Sequence, residues 1–335
     1  MKNFLLLFLS ISLFLSCDNN IELNAPYKQT AVIYGFLDQN DPVQYIRIQK
    51  TYQNALGSTA NQGGQISDSL YFKNLKVTIY DVSFGYKSDT FTCVKIDSIP
   101  KNAGTFASDK HYLYVVVIPK NDSRDVTYLL EVKDTSTGNI FTSITPMVHD
   151  AKVQSGNINY TNSDLWVFTY RYSTAKFGYL YDAFIRFTYK EMSVIDTNIF
   201  SIKYVDYSLQ KGIEYSGNGG EGVNLTLKGK NYIDNVLREY FVESDEAAGY
   251  PGGNTNVKRR FIGIEYVTYG GSDEFKNLLQ ISAPSLSIVQ KKPEYSNITN
   301  GLGIFTSRNR SSNDVPINIS QSTITQINSF LRFNQ

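Results

Sequence analysis

Two histidines, His111 and His149, and 31 carboxylates are the side chains through which this chain could do acid–base, metal or hydrolytic chemistry. Neither histidine has a carboxylate or a second histidine at metal-ligand spacing. Asp122, Asp125 and Glu131, or Glu243, Asp245 and Glu246, offer the oxygens that a calcium ion takes, but neither set follows EF-hand spacing. Both sets read as solvated loop carboxylates. A glycosidase needs two acids roughly 5–10 Å apart in a cleft, and so many acids supply some such pair by chance. No GxSxG elbow, Walker loop or HExxH motif occurs. The glycine-rich Ser216–Gly222 lacks the Lys-Ser/Thr of a phosphate loop and reads as a flexible hairpin loop. Two residues remain as ligand contacts. Tyr250 sits among Gly and Pro in Ala247–Asn254, where its ring would stack on a sugar or peptide group or simply fill a turn. Trp166, the sole tryptophan, opens the strand pattern Trp166–Tyr172. No cofactor, no metal and no enzymatic activity are expected.

Cysteine chemistry is limited to Cys17 and Cys93. Cys93 lies in the alternating run Asp89–Ile96 and reads as a small buried hydrophobe. With one cysteine left after Cys17, no internal disulfide is expected.

The elements that must position these residues are mostly strands. Tyr and Phe number 25 and 20, against three Met, the composition of antiparallel sheets with one wet face. Seven short strands are predicted between Ala31 and Thr145: 31–37, 44–52, 76–81, 90–96, 112–118, 128–134 and 140–145. Their period-two alternation and intervening turns are the signature of an immunoglobulin-like β-sandwich, closed by Pro146. In the second half Tyr179–Lys190 alternates most cleanly, with Tyr181, Ala183, Ile185, Phe187 and Tyr189 facing one way. Strands at 166–172, 200–207 and 260–269 accompany it. Helical spacing appears in Asn231–Val242, in Asp273–Ile281 behind Ser272, and in Ser320–Leu331. The expected fold class is mainly β: a sandwich over 29–147, then an antiparallel β domain with a few helices over 148–335.

The amino terminus is of another kind. Lys2 precedes an apolar run from Phe4 to Leu15, too short for the roughly 20 residues of a membrane span. Leu13-Phe14-Leu15-Ser16-Cys17 resembles the bacterial lipobox. That resemblance implies removal of residues 1–16 and acylation of Cys17, with 17–28 as a polar tether. Two or three acyl chains hold a protein durably, where one is marginal. Without residues 1–16 the 32 basic residues lose Lys2, leaving 31 against 31 acids. There is no basic field for nucleic acid.

Pro293–Phe305 is the most specific string, and it resembles the "YSNIxNGLGIF" motif of a lipoprotein family of Bacteroidota, domain of unknown function 4249. Ala31–Gly35, Val77–Asp81, Tyr128–Asp134 and Asp273–Ile288 are similar to further parts of that family. The resemblance implies a lipid-anchored outer-membrane protein commonly encoded beside TonB-dependent receptors. With the anchor, the short tether, the two β-rich domains and the lack of catalytic motifs, the leading reading is a partner, on the periplasmic or cell-surface face, that helps such a receptor handle a ligand. The resemblance brings no reaction and no catalytic residues. A structural or adhesive envelope subunit is the alternative reading, and a surface hydrolase the third. Gly301 and Gly303 around Leu302 suggest tight turns or the close approach of another segment.

Overall fold

The computed structural model describes residues 29–51, 70–100, 111–121, 124–154, 157–158, 167–228, 237–249, 256–282, 294–313 and 317–330. Cys17, the tether, Trp166 and Tyr250 lie outside them. The fold is mainly β with few helices, in several sheets. The first half contains β1 (Ala31–Asp38), β2 (Val43–Lys50), β3 (Leu75–Asp81), β4 (Thr90–Thr92), β5 (Val94–Ile96), β6 (Leu113–Val117), β7 (Thr127–Asp134) and β8 (Ile140–Pro146). The second contains β9 (Lys152–Gln154), β10 (Asn157–Ile158), β11 (Val167–Ser173), β12 (Leu180–Ser193), β13 (Phe200–Glu214) and β14 (Gly222–Lys228). Helix α1 (Arg238–Ala247), β15 (Val257–Gly271), α2 (Asp273–Ser282), β16 (Leu302–Ser312), β17 (Asn318–Ile319) and α3 (Gln321–Phe330) complete it.

One eight-stranded sheet, ordered β13-β12-β15-β16-β1-β2-β6-β5, draws strands from both sides of residue 147. Its pairings are antiparallel except β1 with β16, which run parallel from Val32↔Leu302 to Asp38↔Arg308. The sheet β4-β3-β7-β8 covers its first half, and β14-β11-β9 with α1 and α3 its second. Two hydrophobic clusters result. One joins Ile33, Leu37, Ile46, Ile79, Leu130 and Phe141 with Phe305; the other joins Tyr170, Tyr181, Phe187, Phe261 and Tyr266 with Leu237, Phe241 and Ile327.

Strand parity explains where the clusters lie. Side chains alternate between the two faces of a strand. Odd residues of β1 and β12 and even residues of β2 are buried, and paired positions share a face. Both cores therefore sit on the same face of the large sheet. The opposite face carries Tyr34, Phe36, Asp38, Tyr45, Arg308, Arg186 and Lys190, with α2 laid on it through Phe275 against Phe36, ring centroids 5.8 Å apart.

Two sequence readings change. Thr90–Ile96 is not one strand: it breaks at buried Cys93, so that β4 joins β3 while β5 joins β6. Cys93 is where the chain switches sheets, and its N–H donates to the Val77 carbonyl at 3.0 Å. Ser216–Gly222 is not a hairpin loop either, because the strands it connects belong to different sheets. It is pinned where Phe177 N–H donates to Gly217 O at 2.8 Å and Gly220 N–H to Thr174 O at 2.8 Å.

Between β8 and β9, residues 147–151 pass β16 outside any ladder; Met147 and His149 N–H donate to the Val126 and Lys176 carbonyls at 2.8 and 3.2 Å, and other backbone groups of the crossing need side-chain partners. Buried Ser307 and Ser311 supply them, and buried Asn309 binds the Asp150 side chain. Ser307 Oγ donates to Pro146 O (2.6 Å) and accepts from Val148 N–H (3.0 Å), and Ser311 Oγ accepts from Ala151 N–H (2.8 Å). The Gly301–Phe305 string lays β16 on β1. A Cβ at Gly303, whose φ is +102°, would collide with the Ile33 carbonyl, and one at Gly301 would lie 3.1 Å from Ala31 O. Asn297 holds both polar groups of Phe305, at 2.7 and 2.9 Å. Close approach is the physical reason for those glycines.

Candidate functional site

Of the carboxylates singled out as calcium ligands, Asp125, Glu131 and Asp245 are engaged by cations of the chain, and Glu243 and Glu246 are exposed on α1. Asp125 pairs with Lys176 and lies 3.3 Å from His149 Nε2, while Glu131 takes Lys87 at 2.8 Å. The His149–Asp125 contact joins residues that sequence spacing keeps apart. Asp245 accepts a two-pronged bond from Arg259, which also reaches Glu191 at 2.9 Å. Asp122 lies outside the described residues. Among the described residues no group of three or more His, Cys, Asp or Glu could hold a metal ion.

The structure instead brings together residues that the sequence presents only as a turn and a strand. Where β1 turns into β2, on the sheet face away from both cores, lies a cavity of about 230 Å³. Phe36, Val43 and Tyr45 form its apolar walls; Asp38, Asp41 and Arg308 line it with charge. Buried Gln44 shapes the turn from beneath: its amide nitrogen donates to Asp38 O (2.8 Å) and Asp41 O, and its amide oxygen accepts from Asp38 N–H (3.0 Å). Each acid spends one oxygen locally. Asp38 Oδ1 accepts from Asn40 N–H at 3.0 Å, and Asp41 Oδ1 from Val43 N–H at 2.9 Å.

Asp38 and Arg308 are directly opposed on neighbouring strands, yet they do not close. Among the described residues Asp38, Asp41 and Arg308 form no ion pair. Burial is the largest influence on Asp38 and pushes its carboxyl above the ordinary 3.8. Asp41 and Asp150 add to that; the Asn40 N–H and Arg308 oppose it without cancelling it. The neighbouring Asp150 is different, because Lys120 (2.6 Å), Asn40 (2.6 Å) and Asn309 (2.7 Å) satisfy it.

A second feature lies on the same sheet face at its far end. The turn between β12 and β13 leaves Ile195 94% exposed, and along β13 Phe200, Ile202 and Tyr204 are 52%, 63% and 57% exposed. Phe200, Ile202 and Tyr204 share this face with Lys190, Lys258 and Arg260, as the pairings Lys190↔Ile202, Lys190↔Arg260, Met192↔Phe200 and Met192↔Lys258 require. Lys190 Nζ stands 3.7 Å over the Phe200 ring, and Arg186, bound to Asp206 at 2.7 Å, lies 4.0 Å over Tyr204. Among the described residues β13 has no strand on its outer edge. From Ala31 the register passes Asp38/Arg308 and Gly271 to Val257 beside Ser193. That is about 20 residues, or at most on the order of 65 Å at ~3.3 Å per residue. Chain entry and apolar tip lie at opposite ends of the sheet.

Neither feature was legible beforehand. Asp38 and Asp41 look like turn residues, and parallel pairing with a distant strand is what brings Arg308 to them. A run of apolar residues on one face of a strand predicted at 200–207 was the available signal for the tip.

No protein-family model matches the chain, and no curated protein matches it. Among solved structures it is similar to the C-terminal globular domain of an oligosaccharyltransferase from Pyrococcus abyssi, at 12% identity over 72% of this chain, with a TM-score of 0.26. The chain spans about half of that protein's length, 48%. A score that low carries no argument about fold or activity.

Proposed function

We propose that this chain is a non-enzymatic, lipid-anchored outer-membrane protein that docks on a TonB-dependent receptor and helps it handle a ligand. The anchor is Cys17 and the partner comes from the resemblance of Pro293–Phe305. The observation that carries docking is the exposed apolar and cationic face around Ile202. Contiguous exposed apolar surface marks interaction sites. Asp206 and Glu265, the carboxylates paired across from Arg186, are held by Arg186 and Arg310, and among the described residues Lys190, Lys258 and Arg260 form no ion pair, so the complementary surface is acidic. A bilayer suits this face poorly, since an open sheet edge cannot leave its backbone groups unpaired in hydrocarbon.

The test is co-isolation of the receptor from native membranes with the tagged, lipidated chain. Ile202→Glu should lose the receptor while changing stability by no more than about 0.5 kcal/mol, the usual range for exposed positions. Co-isolation should also weaken with salt. Equal recovery of the receptor with Ile202→Glu would refute this docking face. A structural subunit is the second reading, favoured by the open edge of β13; it would assemble with envelope proteins and bind no small molecule.

A further inference from the structure

The cavity between β1, β2 and β16 has a charge pattern that selects its ligand. Asp38 lines it from β1, Asp41 from the turn and Arg308 from β16, and the three sum to one negative charge. A bare divalent cation suits Asp38 and Asp41 but is repelled by Arg308. A simple anion suits Arg308 and is repelled by both acids. A molecule carrying an ammonium and a carboxylate satisfies all three. Its ammonium would donate to the second oxygens of Asp38 and Asp41, and its carboxylate would accept from Arg308, a planar donor that suits carboxylates. Phe36, Val43 and Tyr45 leave apolar wall for the remainder, and an aromatic face favours a nearby ammonium.

Size narrows the class further. At about 230 Å³ the space is smaller than the roughly 300–1,000 Å³ of drug-sized sites. We propose that the Asp38–Asp41–Arg308 cavity binds a free α-amino acid, ammonium on the two aspartates and carboxylate on the arginine. This inference rests on the ligand-handling reading above and gives that ligand a chemical class. The unclosed Asp38–Arg308 pair is then a site kept open, since a direct ion pair would fill it. The buried Gln44 scaffold holds the two acids in place without taking their free oxygens.

The test is isothermal titration calorimetry of the full lipidated chain in detergent, with each free L-α-amino acid as probe at up to millimolar concentration. At least one should bind. N-acetylation of that amino acid, and separately amidation of its carboxylate, should each weaken binding about tenfold or more, because each removes a charge-assisted hydrogen bond. These arms use the parent protein and do not depend on a variant folding. Arg308→Gln should abolish the distinction between the free acid and its amide, and Asp38→Asn the distinction between the free amine and its acetylated form. Binding by no free amino acid, or unchanged discrimination in both variants, would overturn the inference. A chain that keeps its receptor but binds no amino acid sinks this inference alone. One that binds an amino acid but no receptor sinks only the docking reading.

Discussion

Gly303→Ala tests the join on which both halves of the molecule depend. Gly303 pairs with Ile33 in the parallel ladder between β1 and β16, at φ +102°. Alanine there has two costs. The backbone conformation is one L-residues rarely adopt, worth about 1–3 kcal/mol. The added methyl also meets the Ile33 carbonyl oxygen, a backbone atom that no rotamer change can move. Relief requires opening neighbouring β1–β16 hydrogen bonds, at about 1 kcal/mol each. The sum is about 3–5 kcal/mol, a large part of a typical stability of about 5–15 kcal/mol. Gly85→Ala is the control: φ is +80° but nothing lies within 4 Å of the new methyl, so only the conformational cost of about 1 kcal/mol applies. Urea unfolding followed by far-ultraviolet circular dichroism would give both losses from their midpoints. If Gly303→Ala cost no more than Gly85→Ala, close approach would be the wrong account of these glycines.

Two further outcomes follow from buried groups. Burial raises the Glu191 carboxyl, but hydrogen bonds from Lys203 and Arg259 outweigh it and leave it below the ordinary 4.5. A carboxylate depressed on folding stabilises the protein above its unfolded value and loses that contribution as pH falls through the folded one. Urea midpoints should therefore drop below about pH 4.5. At neutral pH Arg259→Met should cost about 1.5–3 kcal/mol, by removing its charge-assisted bonds to Asp245 and Glu191 while Lys203 still holds Glu191; a midpoint within about 0.5 kcal/mol of the parent would show that the cluster adds nothing. Burial pushes the Cys93 thiol up to about 12, so at pH 8 a soluble disulfide reagent should label it only after urea unfolding. Rapid labelling of the folded chain would contradict its position at the sheet switch.

Much of the fold is written in period-two alternation. The buried faces of β2, β7 and β12 fall where Ile46 and Ile48, Leu130 and Val132, and Ile185 and Phe187 place them. The helix starts at Ser272 and Ser320 are equally local: Ser272 Oγ accepts from Phe275 N–H at 3.5 Å, and Ser320 Oγ from Thr323 N–H at 3.3 Å. What stayed hidden depends on distant partners. Strand β16 continues as Thr306-Ser307-Arg308-Asn309-Arg310-Ser311, a run with no apolar side to betray a central strand. Ser307, Asn309 and Ser311 are buried because they bind the segment that crosses them, while Arg308 among them is exposed. Strand β13 runs past Tyr207 to Glu214 as an edge whose exposed face needs no apolar residue to hold it. The expected helix at 231–242 is described only from Leu237, and extends to Ala247 because Leu237 and Phe241 anchor it on the second core.

The arrangement of the two cores limits where binding can happen. Both lie on one face of the eight-stranded sheet, and each is roofed by a second layer, so that face is spent on stability. Among the described residues the other face has α2 as its sole covering element. A side chain there loses little folding energy by being polar, charged or exposed, which frees its identity to answer to a ligand or a partner. The open Asp38–Asp41–Arg308 cavity and the Ile202 surface both stand on that face, one beside the central strands and one at the far tip. Asp38 is the clearest case. Its raised carboxyl means that folding disfavours its charged form, so the folded chain bears a cost there that a buried neutral residue would avoid. Holding a charge against that cost, with an arginine opposite and no ion pair closed, is what a site awaiting a charged ligand requires.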